Sequence, residues 1–390
     1  MRELREPLLP THGMNSLATA SADAAEFATK GTKMLCIFEG GCGLMELTLL
    51  FGVTLVIVAG LIMGGGAWPM KLMRKFQFEH WWFIAMLTGL IILPWAATLI
   101  FCPRPFEAYS TVPPGTILLS NLFSLSWGVA NILCGMCFVR IGFALTGAIM
   151  TGIGVSLGVT MPMVFKGSGL FKQAADLSSP AGTMVLIGVG VMVVGVVLVS
   201  LAGFGRDREL KKLQKPCGNF SCGLIMTMIA GVTSCGISFA FIYSQGPIVA
   251  AMKAQGAADV PANLAVWAAG LMGGALVNVL FPIYLMFKNK SWGVLTQTWK
   301  EVGLSLLMGF QFIFSLLLMG KGMLWLGALG ASVGFGIQQA AQMMGSQGVG
   351  FISGEWRGVH GTPRLQMYSA VVLLLIAAVI MAYGKTLAKS

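Results

Sequence analysis

The chain has 390 residues, of which 56% are hydrophobic and only 10% charged, and its mean hydropathy is +0.82. An ordinary soluble domain carries about 25% charged residues, so a soluble enzyme is excluded and an integral membrane protein is the class that remains. The formal charge of +11 then points to basic loops beside anionic lipid and not to nucleic acid.

Residues 1–45 differ from the rest. RELREPLLPTHG is followed by an Ala, Ser and Thr stretch with acids and bases mixed, which reads as a disordered tail. No basic start runs directly into an apolar stretch with a cleavage site, so the tail is not an ordinary secretory signal. Beyond it, ten stretches are long and apolar enough to cross a bilayer core of about 30 Å, where each helix must satisfy its own backbone groups. They fall near 50 to 70, 82 to 102, 116 to 139, 141 to 165, 182 to 204, 221 to 244, 263 to 287, 303 to 320, 323 to 350 and 366 to 384.

Little more than Arg140 and Gly142 separates the third and fourth stretches, which predicts a tight hairpin. Lys321 and Gly322 predict a second hairpin between the eighth and ninth. IGFALTGAI after Arg140 resembles LGALGASVG after Lys321, and AGLIMGGGAW in the first stretch resembles AGVTSCGISF in the sixth. The expected fold is therefore an all-α integral membrane protein of ten transmembrane helices. It divides into a first five-helix repeat (46–205), a basic loop (206–220) and a second five-helix repeat (221–390). Because five is odd, the second repeat enters the membrane from the opposite side, and inverted repeats suit alternating access around a midplane site. The loops after the odd-numbered stretches hold the larger share of Lys and Arg, with GRDRELKKLQK dominating. The positive-inside rule puts those loops in the cytoplasm and both termini outside, in a multi-pass protein of the cell inner membrane.

Charged side chains deep in a bilayer are costly and usually functional, yet the acids nearest the stretches, Glu46, Glu79, Glu107, Glu301 and Glu355, fall at predicted ends or in loops. Neutral polar groups do occur deep. Trp127 and Asn131 are four apart and share a helix face, as do Gln311 and Ser315. Asn278, Gln338, Gln339 and Gln342 add further amides. Amides offer donors and acceptors together, as a polyhydroxylated neutral solute requires, and Trp68, Trp127 and Tyr243 offer rings for its C–H face. Trp and Tyr also gather at bilayer interfaces, and buried amides also join helices. Glu79 and His80, at the opening of the second stretch, and Glu355 are the groups able to take up a proton at an entrance. The plainer reading of Glu79 and His80 is a solvated boundary pair.

Gly60 and Gly64 have GxxxG spacing, and Gly152, Gly154 and Gly158 leave room for close backbone contact. Pro69, Pro94, Pro162 and Pro282 free carbonyls within or at the ends of helices. The eight cysteines match no disulfide framework, and Cys134 and Cys137 read as helix packing, so no metal is expected. GGGAWPMK does not continue as GK[ST], and neither an H-E-x-x-H nor paired intramembrane acids occur, so no cofactor and no enzymatic activity are expected.

GGGAWPMKLMRKFQFEHWW, LIILPWA, SWGVANILCGMCFVRIG, SCGISFAF, LMGGALVN with KNKSW, and GEWRG resemble, in order, segments of the L-rhamnose and proton symporter family, within the drug/metabolite transporter superfamily. The resemblance runs from about Gly60 to Gly358. It implies ten helices in two inverted repeats and uptake of a deoxy-sugar driven by a proton gradient. By position, Pro69 and Lys71 match the family's Pro-x-Lys after the first helix. Glu79 matches its acid in a Trp-x-Trp-Glu segment, where this chain has Phe76 and Phe78, and Asn131 matches the first of two asparagines in the third helix. Leu133 stands at the second, and Cys134 replaces a tyrosine. The resemblance thus implies a secondary transporter of L-rhamnose or a similar deoxy-sugar, with sugar, proton and lipid bilayer as its partners. The alternative is a drug/metabolite-type exporter of small polar metabolites.

Overall fold

A computed structural model describes residues 41–164, 178–212, 220–326 and 335–387. Contacts divide the chain into two units, Met1–Phe51 and Gly52–Ser390. Of the first unit, residues 41–51 are described, as the start of helix α1 (Gly41–Gly65). The tail expected over residues 1–45 otherwise lies outside the described residues.

The described residues are helical throughout and contain no strand. After α1 come a 3₁₀ turn (Trp68–Leu72), α2 (Phe78–Phe101), the short α3 (Pro105–Thr111), α4 (Pro114–Arg140), α5 (Phe143–Val164) and α6 (Pro180–Lys212). Then follow α7 (Phe220–Thr233), α8 (Gly236–Ala254), α9 (Asp259–Gly270), α10 (Met272–Lys288), α11 (Trp299–Trp325), α12 (Phe335–Ile352) and α13 (Thr362–Leu387). By length and composition, α2, α4, α6 and α11 are able to cross a membrane, and α9 with α10, bent by 56°, forms a fifth such segment. Leu50–Gly65, Phe143–Leu157, Phe220–Thr233 and Thr362–Ala377 are shorter apolar helices.

Two elements contain π turns, Leu87–Ile92 inside α2, just before Pro94, and Val266–Gly270 at the end of α9. A π turn adds a residue to the helical repeat and shifts every side chain after it onto a new face. Leu271 then leaves helical geometry (φ −118°, ψ 14°), and α10 restarts in a new direction. The sixth predicted stretch is likewise not one helix: α7 stops at Thr233 and α8 resumes at Gly236.

The hairpin predicted at Arg140 and Gly142 forms, with Gly142 at φ +91° as the turn demands. The hairpin predicted at Lys321 and Gly322 does not: α11 runs straight through both to Trp325. Gly322 serves another purpose, because a Cβ there would lie 2.8 Å from Val56 Cγ2 and 2.9 Å from the Gly52 carbonyl oxygen. It permits close approach of α1 and α11 and turns nothing.

α4 packs against α7, α8 and α10, while α2 packs against α10 and α11. A second core unites α5, α6, α7, α12 and α13 around Leu145, Ile149, Met192, Met343 and Leu374. α1 and α12 meet backbone to backbone: a Cβ at Gly60 would sit 2.5 Å from the Gln338 carbonyl oxygen, and one at Gly64 would overlap that of Gln342. Gly64→Leu is therefore expected to separate the two helices and lower stability by about 3 kcal/mol or more, read as a fall in the thermal midpoint of the purified protein. An unchanged midpoint would contradict this packing.

Candidate functional site

α4 presents Trp127 and, one turn later, Asn131. Trp127 is buried and packs edge-on against Trp267, with ring centroids 5.9 Å apart. Trp267 stands in the π turn of α9 and also meets Phe241 of α8 and Phe312 of α11, each at 5.5 Å. Rings from four elements thus converge where α9 loses its regular repeat. Met86, Leu90, Ile91, Ile237, Met272 and Ala275 surround them.

Asn131 donates to Asn278 Oδ1 at 3.3 Å and lies 3.7 Å from Met86 Sδ. Asn278 is fully buried. Its Oδ1 also accepts from Trp82 Nε1 at 3.0 Å, and its Nδ2 donates to the carbonyls of Gly274 and Gly128 at 2.9 and 3.4 Å. Every polar group of Asn278 is therefore engaged by protein, and it pegs α10 to α2 and α4. Asn131 Oδ1 and the indole N–H groups of Trp127 and Trp267 make no hydrogen bond among the described residues. The arrangement supplies two donors and an acceptor without a charge.

The remaining predicted amides and rings have other partners. With its amide oriented to satisfy both atoms, Gln311 accepts from Trp68 Nε1 at 3.0 Å and donates to the Gly66 carbonyl at 3.2 Å. Trp68 and Gln311 thus bind each other. Gln338 is buried and donates to Gln342 at 3.1 Å, with the half-buried Gln339 beside it on α12. Tyr243 stacks on Phe123, centroids 5.5 Å apart. Among the described residues, no hydrogen bond joins Gln338, Gln339 or Tyr243 to the Trp127 and Asn131 pair.

The acids gather around the segment from Gly66 to Gln77. Glu355 accepts from Lys71 Nζ and from the Phe143 N–H, both at 2.8 Å, and from the Ala144 N–H at 3.3 Å. Its side chain is only 8% exposed. Glu301, at the start of α11, accepts the backbone N–H groups of Arg74, Lys75 and Phe76 at 2.6 to 3.2 Å. The segment is thus a strap tied at Trp68, Lys71 and residues 74 to 76.

Glu79 and His80 are 4% and 1% exposed, which overturns the solvated-pair reading. The chain between α10 and α11 covers them. Glu79 accepts from Asn289 Nδ2 at 2.9 Å and Ser291 Oγ at 3.4 Å. His80 Nδ1 accepts the Gln77 N–H at 3.1 Å, so its proton lies on Nε2, which donates to the Ser291 carbonyl at 3.1 Å. Arg206 donates to the Ile141 carbonyl at 2.7 Å and lies over the Trp356 ring. These contacts join the segments that follow the odd-numbered predicted stretches.

The sequence profile of the L-rhamnose-proton symport protein (RhaT) family matches residues 45–388. The chain belongs to this family. L-rhamnose-proton symporters of Yersinia pestis bv. Antiqua (strain Antiqua), Yersinia pestis (strain Pestoides F) and Yersinia pseudotuberculosis serotype O:1b (strain IP 31758) are each 30% identical to it over 215 residues. Each match spans 55% of this chain and 60% of the relative's length. Membership of the RhaT family and the apolar helices together make the chain a multi-pass membrane protein.

Sequence reasoning missed Trp267, Phe241 and Phe312, because nothing in VWAAG announces a π turn that swings an indole inward. It also missed the role of Glu301, whose partners are backbone donors with no side-chain signature. The signal that was present is Trp267 itself, an aromatic set among small residues shortly after Pro261.

Proposed function

We propose that this chain is a secondary active transporter that carries a neutral deoxy-sugar of the L-rhamnose type across the cell inner membrane by proton symport. Ten spanning helices form two inverted five-helix repeats, which rock around a site built on Trp127 and Asn131. The observation that carries this reading is the uncharged set of open hydrogen-bonding groups at that site, with the nearby acids held apart at the strap. Such a set suits hydroxyl groups and offers nothing to an ion. The names of the relatives agree with it.

The repeat architecture draws support from the two π turns, which lie in the second and seventh predicted stretches, the corresponding positions of the two halves. Interrupted helices at matching positions are the usual mark of a transporter's substrate site. Alternating access draws support from the strap: at the end carrying the odd loops, Glu301 and Glu355 bind Gly66 to Gln77 down, so that this end is closed. By the positive-inside rule it faces the cytoplasm. Glu355, whose carboxylate ties Lys71 of the strap to the start of α5, is the proposed coupling group, with Glu79 and His80 beside the same end.

Uptake of labelled L-rhamnose into proteoliposomes, with and without a pH gradient, tests the proposal. Accumulation only with the gradient is expected, and absence of uptake under both conditions would end the substrate reading. Asn131→Ala removes an amide that would serve an uncharged hydroxyl, a bond contributing roughly 1 kcal/mol. The apparent affinity for L-rhamnose is accordingly expected to fall about fivefold, with a loss of roughly 1 kcal/mol in stability of the sugar-free protein from the bond to Asn278. An affinity equal to that of the wild type would remove Asn131 from the site.

A further inference from the structure

We propose that Asn121 is a positioning residue that fixes the break between α9 and α10 and, through it, the sugar site, a proposal that rests on the sugar-transport reading above. A helix that ends and restarts inside a bilayer leaves carbonyls on one side of the break and N–H groups on the other without helical partners. Lipid supplies neither donors nor acceptors, so protein must meet them. The cap residue of α10 is Leu271, whose side chain makes no capping bond.

α4 caps the break instead. Asn121 Oδ1 accepts the Gly273 N–H at 2.6 Å, and Ser124 Oγ accepts the Gly274 N–H at 2.9 Å. These are the second and third N–H groups of α10, the ones an ordinary N-cap side chain serves. On the other side of the break, Asn121 Nδ2 donates to the Ala269 carbonyl at 2.9 Å and Ser120 Oγ to the Gly270 carbonyl at 2.6 Å. Asn121 thus grips both ends at once. Its second amide proton goes to the Ile117 carbonyl at 2.8 Å, so none is left for a ligand. The grip needs Gly273 and Gly274, since a Cβ on the first would collide with the Asn121 carbonyl oxygen and one on the second would stand 2.5 Å from that of Ser124. By contrast, α2 continues through its π turn to Phe101, and among the described residues no side chain of α11 hydrogen-bonds its backbone there.

The grip and the site share one stripe of α4, because Ser120, Ser124, Trp127 and Asn131 follow one another at spacings of three and four. Trp267 stands two residues before Ala269, and Asn278 donates to the Gly274 carbonyl one turn after the capped N–H groups. Holding the break therefore sets the ring of α9 and the amide of α10 against Trp127 and Asn131. Asn121 acts on the site through the backbone.

The test pairs hydrogen–deuterium exchange with calorimetric binding of L-rhamnose on the full-length chain in detergent. Wild type, Asn121→Ala and Ser124→Ala are compared well below their thermal midpoints. Asn121→Ala is expected to speed exchange over residues 269–276 of the sugar-free protein about tenfold, with the rest of α10 unchanged. Its affinity for L-rhamnose is expected to fall about fivefold or more, since a preorganised site becomes loose. Ser124→Ala loses one cap bond only, and about threefold is expected for each readout. Should Asn121→Ala fail to fold, Ser124→Ala decides by the same two measurements. A folded variant with wild-type exchange over 269–276 overturns the grip. Faster exchange with wild-type affinity overturns the positioning, because a merely structural bond would give that result. In both cases binding by the wild type stands, and the transport reading with it. A wild type that binds no L-rhamnose overturns the transport reading itself, and the positioning of a sugar site falls with it.

Discussion

Asn278→Ala is expected to lose about 3 kcal/mol or more of stability and to abolish transport. Asn278 is completely buried and joins three helices: it accepts from Trp82 on α2 and Asn131 on α4, and donates to carbonyls on α4 and on its own helix α10. Alanine leaves the Trp82 indole N–H without its acceptor in an interior that water does not reach. An orphaned buried donor carries its full desolvation penalty, typically about 1 to 3 kcal/mol, to which the void left by the amide is added. The wedge between Gly128 and Gly274 is also affected, because each of those glycines would clash with the facing helix if it carried a Cβ. Thermal unfolding of the sugar-free protein checks the expectation. A midpoint equal to that of the wild type, with transport lost, would instead mean that Asn278 contacts the substrate directly.

The second large effect is expected at Glu355. Its carboxylate holds Lys71 of the strap and two N–H groups at the start of α5, and it is itself carried by the segment after α12. Protonation removes the charge that Lys71 and those N–H groups converge on, which loosens the tie between the strap and α5 while Glu301 still holds residues 74 to 76. Glu355→Gln keeps the shape and one acceptor while making the neutral state permanent. Exchange of labelled for unlabelled sugar is therefore expected to persist, while accumulation against a concentration gradient disappears. A pH step of one unit stores about 1.4 kcal/mol, enough for about tenfold accumulation by a one-proton symporter. In Glu355→Gln the internal and external sugar concentrations should equalise. Retention of the wild-type accumulation ratio would remove Glu355 from the coupling and leave Glu79, a further buried carboxylate at the same end, as the candidate.

The helical class was legible from composition and from the apolar stretches, and the Trp127 and Asn131 face from their four-residue spacing alone. Glycine was legible only in part. Gly142 and Gly322 look alike in sequence, each beside a basic residue between apolar runs, yet one turns the chain at positive φ and the other lets α11 touch α1. A missing Cβ serves both ends, and only the neighbouring helix decides between them. The π turns were not legible, because they depend on tertiary packing and leave no residue pattern beyond Pro94 after the first. Trp267 was hidden for the same reason, since a regular helix would carry its ring to a different face. The burial of Glu79 and His80 was hidden because their cover, residues 289 to 291, lies more than two hundred residues away in the chain.

The central claim, that movement of a neutral deoxy-sugar is tied to movement of a proton, is tested most directly by adding L-rhamnose to proteoliposomes that carry a trapped pH indicator and no imposed gradient. The wild-type protein is predicted to acidify the vesicle interior on addition of L-rhamnose, and to leave it unchanged with a sugar that is not taken up. Entry of L-rhamnose with no change in internal pH would contradict the account.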